Sequence, residues 1–332
     1  MENRKQKTLR NPMHIGVGEV CRYEDVSLRF EGEMVVEGTL RLKGCSMDVA
    51  DTRIIVKGTL HMEGCEVEQP NSAFLEIRPD ADAVIENCVF HCSVPFWDSV
   101  IIARDNRDFE LRNCRFYGTP AVISMTSKRN GRSSRPYAVP FVDASKGKII
   151  GCEFYNFTGC RVANVLSVVG TTFENCHRIE VGGSGETTRV SRCRFMNCKE
   201  VNVYDGTIEC CEFRGLETAF FNLSSVVGCT FSALKCDFDH IIALDDSNME
   251  NCIFEDVELT EDSYLIDTTP ESSVAHCNFR NCRTSRTDLE LIHSEWTEGF
   301  LFKKTVEYDV VDHDTCTGLD EVEKVLLRAL VV

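Results

Sequence analysis

The sequence predicts an all-β chain wound into a parallel β-helix (a solenoid) of about 11–12 coils. Three observations predict it. A Cys-x-Phe pair recurs eight times, an apolar residue stands five places before each reference Phe, and successive copies lie 18 to 38 residues apart. Self-similarity at a short period marks a repeat architecture, in which each unit buries its apolar side chains only by stacking on its neighbours.

The pairs end at Phe90, Phe116, Phe154, Phe195, Phe213, Phe231, Phe254 and Phe279. Random placement of 19 cysteines and 20 phenylalanines would give roughly one such pair. GTTF, ending at Phe173, is a further copy with Thr171 in the cysteine place. Five residues upstream stand Ile85, Leu111, Ile149, Val168, Val190, Ile208, Val226, Met249 and Val274, all apolar. LRLKGCSM and LHMEGCEV obey the same rule around Met47 and Val67, which makes eleven copies; a degenerate twelfth is expected near Trp296, with Leu291 and Ser294 in the equivalent places.

Cys and Phe two places apart, with a mostly polar residue between them, describe a strand with alternate side chains inward. The apolar residue three places before the Cys breaks that alternation. A bend between the two restores it, and the bend is often filled by Asn87, Asn113, Gly151, Gly170, Gly228 or Asn251, types that tolerate left-handed backbone. Units this short hold two or three brief strands. That is too little for a four-stranded propeller blade, and they lack the 3.6-residue period of helical repeats or the frame of leucine-rich repeats. One coil of a parallel β-helix per unit satisfies the spacing.

Segments such as ELRNCRF and NMENCIF resemble the right-handed parallel β-helix, or pectin-lyase-like, superfamily over roughly residues 31–296. The resemblance implies a right-handed single-stranded solenoid. It does not imply one activity, because the superfamily includes polysaccharide lyases and hydrolases, phage tailspikes, adhesins and uncharacterised intracellular proteins.

Solenoid ends need caps against end-to-end association. Residues 1–30 are expected to cap the first coil, with Val26, Leu28 and Phe30 alternating. Residues 297–332 form the other cap. There a helix is expected from about 318, with an apolar stripe of Leu319, Val322, Val325, Leu326 and Leu330 and acids at its start. The helix reads either as closing the rod or as docking a partner or a second copy, so the chain is expected as a monomer or as a homo-oligomer joined through an end cap. Between the caps, residues 31–296 form the solenoid, interrupted by an inserted loop at about 125–137.

The composition is that of a folded protein, 43% hydrophobic and 27% charged. A net charge of −17 excludes nonspecific binding to nucleic acid or anionic membrane over the whole surface. No apolar run approaches the length of a membrane-spanning helix. The basic N-terminal stretch lacks the apolar core of a signal peptide. The cysteine count is odd and no CxxC occurs. The expectation is therefore a cytoplasmic protein with reduced, packed thiols, no cofactor and no metal site. Ten cysteines occupy the ladder place: Cys45, Cys65, Cys88, Cys114, Cys152, Cys193, Cys211, Cys229, Cys252 and Cys277.

Two segments carry candidate chemistry. The insertion holds Lys128, Arg129, Arg132 and Arg135, joined by Lys146 and Lys148 against the single acid Asp143, with Tyr137 as a candidate platform for a sugar or peptide. It reads either as a solvated loop or as a site for an anionic ligand, an acidic partner segment or an acidic sugar. The segment DFDHIIALDDSN gathers Asp237, Asp239, His240, Asp245 and Asp246, weak candidates for catalysis. Paired aspartates serve hydrolysis, and the polygalacturonase-like members carry them. Their companion Asn-Thr-Asp, His-Gly and Arg-Ile-Lys elements are missing here. Asp82, Asp108, Asp205, Asp246 and Glu271 all stand eight places before a reference Phe, so a repeated turn explains part of the series.

Two functions follow as expectations. One is a noncatalytic scaffold or recognition protein with a protein partner. The other is a carbohydrate-active protein, an acidic-polysaccharide lyase, hydrolase or binding module, using a groove beside the basic insertion.

Overall fold

The structure, a computed structural model, describes residues 6–10, 13–50, 52–70, 73–92, 99–106, 108–118, 140–144, 146–157, 160–163, 165–182, 187–236, 239–260, 263–285, 290–298, 304–307, 310–312, 315–319 and 323–324. The chain divides into two compact units, Met1–Thr188 and Arg189–Val332. Each is a parallel β-solenoid, with about ten turns in the two together.

A coil has three short strands and hence three faces. In the first unit one coil runs through Thr59–Glu63, Glu66–Glu68 and Leu75–Ile77, and the next through Asp82–Glu86, Val89–His91 and Ile101–Ile102. They pair in parallel, with Met62 beside Ile85 on the first face, Val67 beside Phe90 on the second and Leu75 beside Ile101 on the third. Like side chains therefore meet like. On the second face the rings of Phe90, Phe116, Phe154 and Phe173 stack at 4.7, 4.7 and 5.0 Å. In the second unit Phe195, Phe213, Phe231, Phe254 and Phe279 stack at 4.8, 4.6, 5.1 and 4.8 Å. Offset aromatic pairs at such spacing contribute about 0.5–1.5 kcal/mol each beyond their burial.

The bend between the first and second faces is left-handed in every described coil. Asp25, Gly44, Gly64, Asn87, Asn113, Gly151 and Gly170 hold it in the first unit; Arg192, Cys210, Gly228, Asn251 and His276 hold it in the second. This lets the apolar residue before it and the cysteine after it both point inward. All ten ladder cysteines are buried, and no described cysteine is in a disulfide.

Residues 6–30 are themselves a coil: Gln6–Arg10 pairs with Ser27–Val36, Met13–Ile15 with its far half, and Val20–Glu24 with Thr39–Lys43. Leu28 and Phe30 are buried as the alternation requires. At the other end, Glu295–Glu298 leaves the solenoid in an antiparallel hairpin with Lys304–Glu307, so Trp296 is not the twelfth reference residue. The chain then returns over the last full coil. Val311 bridges to Val274 and Thr317 to Asn278, with Val310, Val311 and Cys316 buried. Cys316 is thus the next rung of the cysteine ladder. Most of the helix expected from 318 lies outside the described residues, but Glu323–Lys324 is a strand pairing in parallel with Arg283 and Thr284. Docking on the open sheet edge overrides the helical pattern there.

Candidate functional site

Lys128, Arg129, Arg132, Arg135, Tyr137 and Asp237 lie outside the described residues. Two further cations of the basic island are paired with acids of the preceding coil: Lys148 Nζ lies 3.2 Å from Glu110 and Lys146 Nζ 3.7 Å from Asp105. Asp143 holds Arg104 at 2.5 Å.

The acidic segment does not converge. Asp239 is exposed just before the strand His240–Asp245, and Asp245 ends it. Six residues of extended chain separate the two carboxylates by about 20 Å, well beyond the roughly 5–9.5 Å of glycosidase pairs. Asp245 accepts a hydrogen bond from Asn222 Nδ2 at 2.6 Å. Asp246 is a left-handed corner residue (φ 48°), as Asp205 and Leu223 are in their coils. The turn explanation therefore holds for Asp205 and Asp246. His240 faces Asp267, whose carboxylate lies 3.7 Å from His240 Nδ1 and 2.7 Å from His293 Nδ1, with Tyr264 against the His293 ring.

A different surface draws chemistry-bearing residues together. On the outer side of the second face in the first unit, strand register places Asp48, Glu68, His91, Tyr117, Tyr155 and Glu174 in one row. A parallel row carries Ser46, Glu66, Val89, Arg115, Glu153 and Thr172. The same registry that stacks phenylalanines inside stacks rings outside. His91 lies 5.5 Å from Tyr117, and Tyr117 lies 5.3 Å from Tyr155, with planes within 14°. Tyr155 Oη donates to Glu153 at 3.0 Å. Partial burial, then that carboxylate, push the Tyr155 hydroxyl up to about 12.

Two mixed nitrogen–oxygen sets occur in these coils. His61, Glu63 and Glu86 bring ligand-type atoms within 4.8 Å of one another, and so do Glu66, Glu68 and His91. Neither set stands out in the sequence. The partners are two dozen residues apart, and only strand register brings them together. The visible signal is HMEGCEVE, alternating outward His and Glu on both sides of the Gly64 bend.

In the second unit Cys210, Arg214, Thr230, Ser232, Glu255 and Asp256 are among the residues that line an open cavity of about 490 Å³. No protein-family model, no curated protein and no solved structure matches the chain.

Proposed function

We propose that the protein is a noncatalytic recognition solenoid of the right-handed, pectin-lyase-like kind, and that its second face in the first unit binds an extended protein segment. The row of His91, Tyr117 and Tyr155 carries this reading. Each ring covers a face of its neighbour, both faces in the case of Tyr117, and Glu153 holds the Tyr155 hydroxyl, so the middle of the row presents ring edges. Edges and hydroxyls suit hydrogen bonds to a polypeptide, whereas a sugar needs an open ring face. Asp48, Glu66, Glu68, Glu153 and Glu174 border the rings against Arg115 and, beside Asp48, Arg29, so this face favours a segment that is basic where it crosses. Lys128, Arg129, Arg132, Arg135 and Tyr137 of the insertion are proposed to hold an acidic flank of the same partner.

The carbohydrate alternative has the fold resemblance and the basic insertion in its favour. Carboxylates along the ring row oppose a polyanionic chain, and the dispersed Asp239 and Asp245 offer no hydrolytic pair. A cytoplasmic setting fits the thiol-rich core. The test is binding of the full chain to a peptide array and to acidic and neutral oligosaccharides. Basic peptides should be retained, with affinity lost in Tyr117→Ala and Tyr155→Ala. Retention or depolymerisation of an acidic oligosaccharide, unchanged in those variants, would establish the alternative.

A further inference from the structure

We propose that Glu66, Glu68 and His91 form a binding site for a divalent transition-metal cation. His91 Nε2 lies 3.4 Å from a Glu66 oxygen and 3.9 Å from a Glu68 oxygen. Both distances exceed those of an N–H···O hydrogen bond, which is at most about 3.2 Å. The distances do suit the edges of a coordination polyhedron. Ligands about 2.0–2.1 Å from a tetrahedral centre stand about 3.3 Å from one another, so the His91–Glu66 edge is already near its bound length and the Glu68 edge closes by a small side-chain rotation.

Charge points the same way. Among the described residues, His91 is the only cationic-type partner within 4 Å of Glu66 or Glu68. Asp48 stands beside Glu68 in the register with Arg29 on its other side, so Glu66 and Glu68 supply the charge to be offset. A protonated imidazole would offset one of these charges; a dication with a neutral imidazole offsets two. The twin set at His61, Glu63 and Glu86 is less suited, because Lys43 Nζ lies 3.7 Å from Glu63 and competes for it. Stacking on Tyr117 restrains the His91 ring, which fixes one ligand before the ion arrives. One imidazole nitrogen with two carboxylate oxygens suits Zn²⁺, Co²⁺ or Mn²⁺ more than Ca²⁺. Three protein ligands leave a position open for water or for a group on a partner. This inference goes beyond the recognition reading and does not rest on it.

The test is a titration of the full, reduced chain with Co²⁺ alone, read by visible absorption and by calorimetry, against His91→Ala, Glu68→Gln, His61→Ala and Cys210→Ser. One equivalent should bind without a thiolate-to-metal band. Affinity should fall at least about tenfold in His91→Ala and Glu68→Gln, a scale that even outer-shell partners of metal sites reach, and stay unchanged in the other two. The three side chains are at the surface, and an unchanged unfolding midpoint in the isosteric Glu68→Gln confirms that the fold is intact. Absence of saturable binding, loss of binding in His61→Ala or Cys210→Ser, or indifference to His91→Ala overturns the site.

Discussion

Thr171 does the work of Cys152. Its Oγ1 donates to the carbonyl two residues back, Val169 O, at 3.3 Å, as Cys152 Sγ donates to Ile150 O at 3.6 Å. Both follow a left-handed glycine, Gly170 and Gly151. The same bond recurs at the other corners. Cys176 follows Asn175 and bonds Glu174 O, and Cys198 follows Asn197 and bonds Met196 O. Ser224 follows Leu223 and bonds Asn222 O at 2.8 Å; Ser247 follows Asp246 and bonds Asp245 O at 2.8 Å. A left-handed residue turns the backbone, and a small donor behind it satisfies a carbonyl freed by the turn. Cysteine serves this place because it fills a core position and also donates.

Substitution at Cys152 separates donation from packing. Cys152→Thr is expected to cost less than about 1 kcal/mol, because the next coil already carries threonine there. Cys152→Ala, which loses the bond and leaves a small void, is expected to cost about 1–2 kcal/mol. Urea unfolding midpoints measure both. Alanine being the better tolerated of the two would mean that the side-chain bond contributes nothing.

The serine corner carries a stricter requirement. Ser247 Oγ accepts from Ser224 N–H at 3.0 Å while donating to Phe221 O and Asp245 O. Ser247→Ala leaves a buried N–H without a partner and should destabilise the second unit by about 1–3 kcal/mol. Ser247→Cys restores a weak acceptor and should recover part of the loss. Equal midpoints for the two variants would refute the role assigned to the acceptor.

Glycines at the corners serve two different ends. Gly170 has φ 58° and open space where a Cβ would stand. Gly170→Ala therefore meets only the left-handed backbone cost, about 1–2 kcal/mol. A Cβ on Gly58 would overlap the carbonyl oxygens of Gly38 and Glu37, where successive coils approach through Gly58 N–H to Val36 O at 2.9 Å. Gly58→Ala has to separate backbone from backbone and should cost about 3 kcal/mol, at the upper end of overpacking penalties. Thermal unfolding of the two variants gives the order.

The solenoid was legible because stacking requires the same residue type at the same place in every coil, and that repetition survives in the sequence at Ile85, Cys88 and Phe90 and their equivalents. Arg192, Cys210 and His276 occupy left-handed bends that composition alone would have given to Asn or Gly; the tertiary frame over-determines them. The last rung was missed because the hairpin Glu295–Glu307 separates it from its coil and Gly318 replaces the phenylalanine beyond Cys316. The outward row of Glu68, His91, Tyr117 and Tyr155 was equally hidden. Outward positions face no shared packing constraint, so they carry no period, and only strand register shows that they are neighbours.

Thiol reactivity follows from the corners. Cys210 is exposed because it occupies the bend, while its neighbour Cys211 points into the core. In native protein a thiol reagent should label Cys210 rapidly and the ten ladder cysteines only at the rate of unfolding. Mass spectrometry of partly labelled protein reads the order directly. Early modification at Cys114 or Cys152 would contradict the packed ladder.

Stability should fall steeply in alkali, and the sign follows from the thiols. Burial pushes Cys92 upward and carries Cys282 up to about 12. At Cys65 the Cys45 thiol pulls down, but the Cys88 thiol and burial outweigh it and leave the group at about 12. An unfolded cysteine titrates near 8.5. The folded state therefore keeps protons that the unfolded chain gives up, so the stabilisation is complete below about pH 8.5 and lost as pH rises towards 12. Each such thiol should remove about 2 kcal/mol by pH 10, at about 1.4 kcal/mol per pH unit. Urea midpoints at pH 7.5, 8.5, 9.5 and 10 measure the slope. Replacing one of these thiols, in Cys282→Ala, should lower stability at pH 7.5 yet make the alkaline fall shallower. An identical slope in that variant would place the alkaline loss on lysine and tyrosine instead.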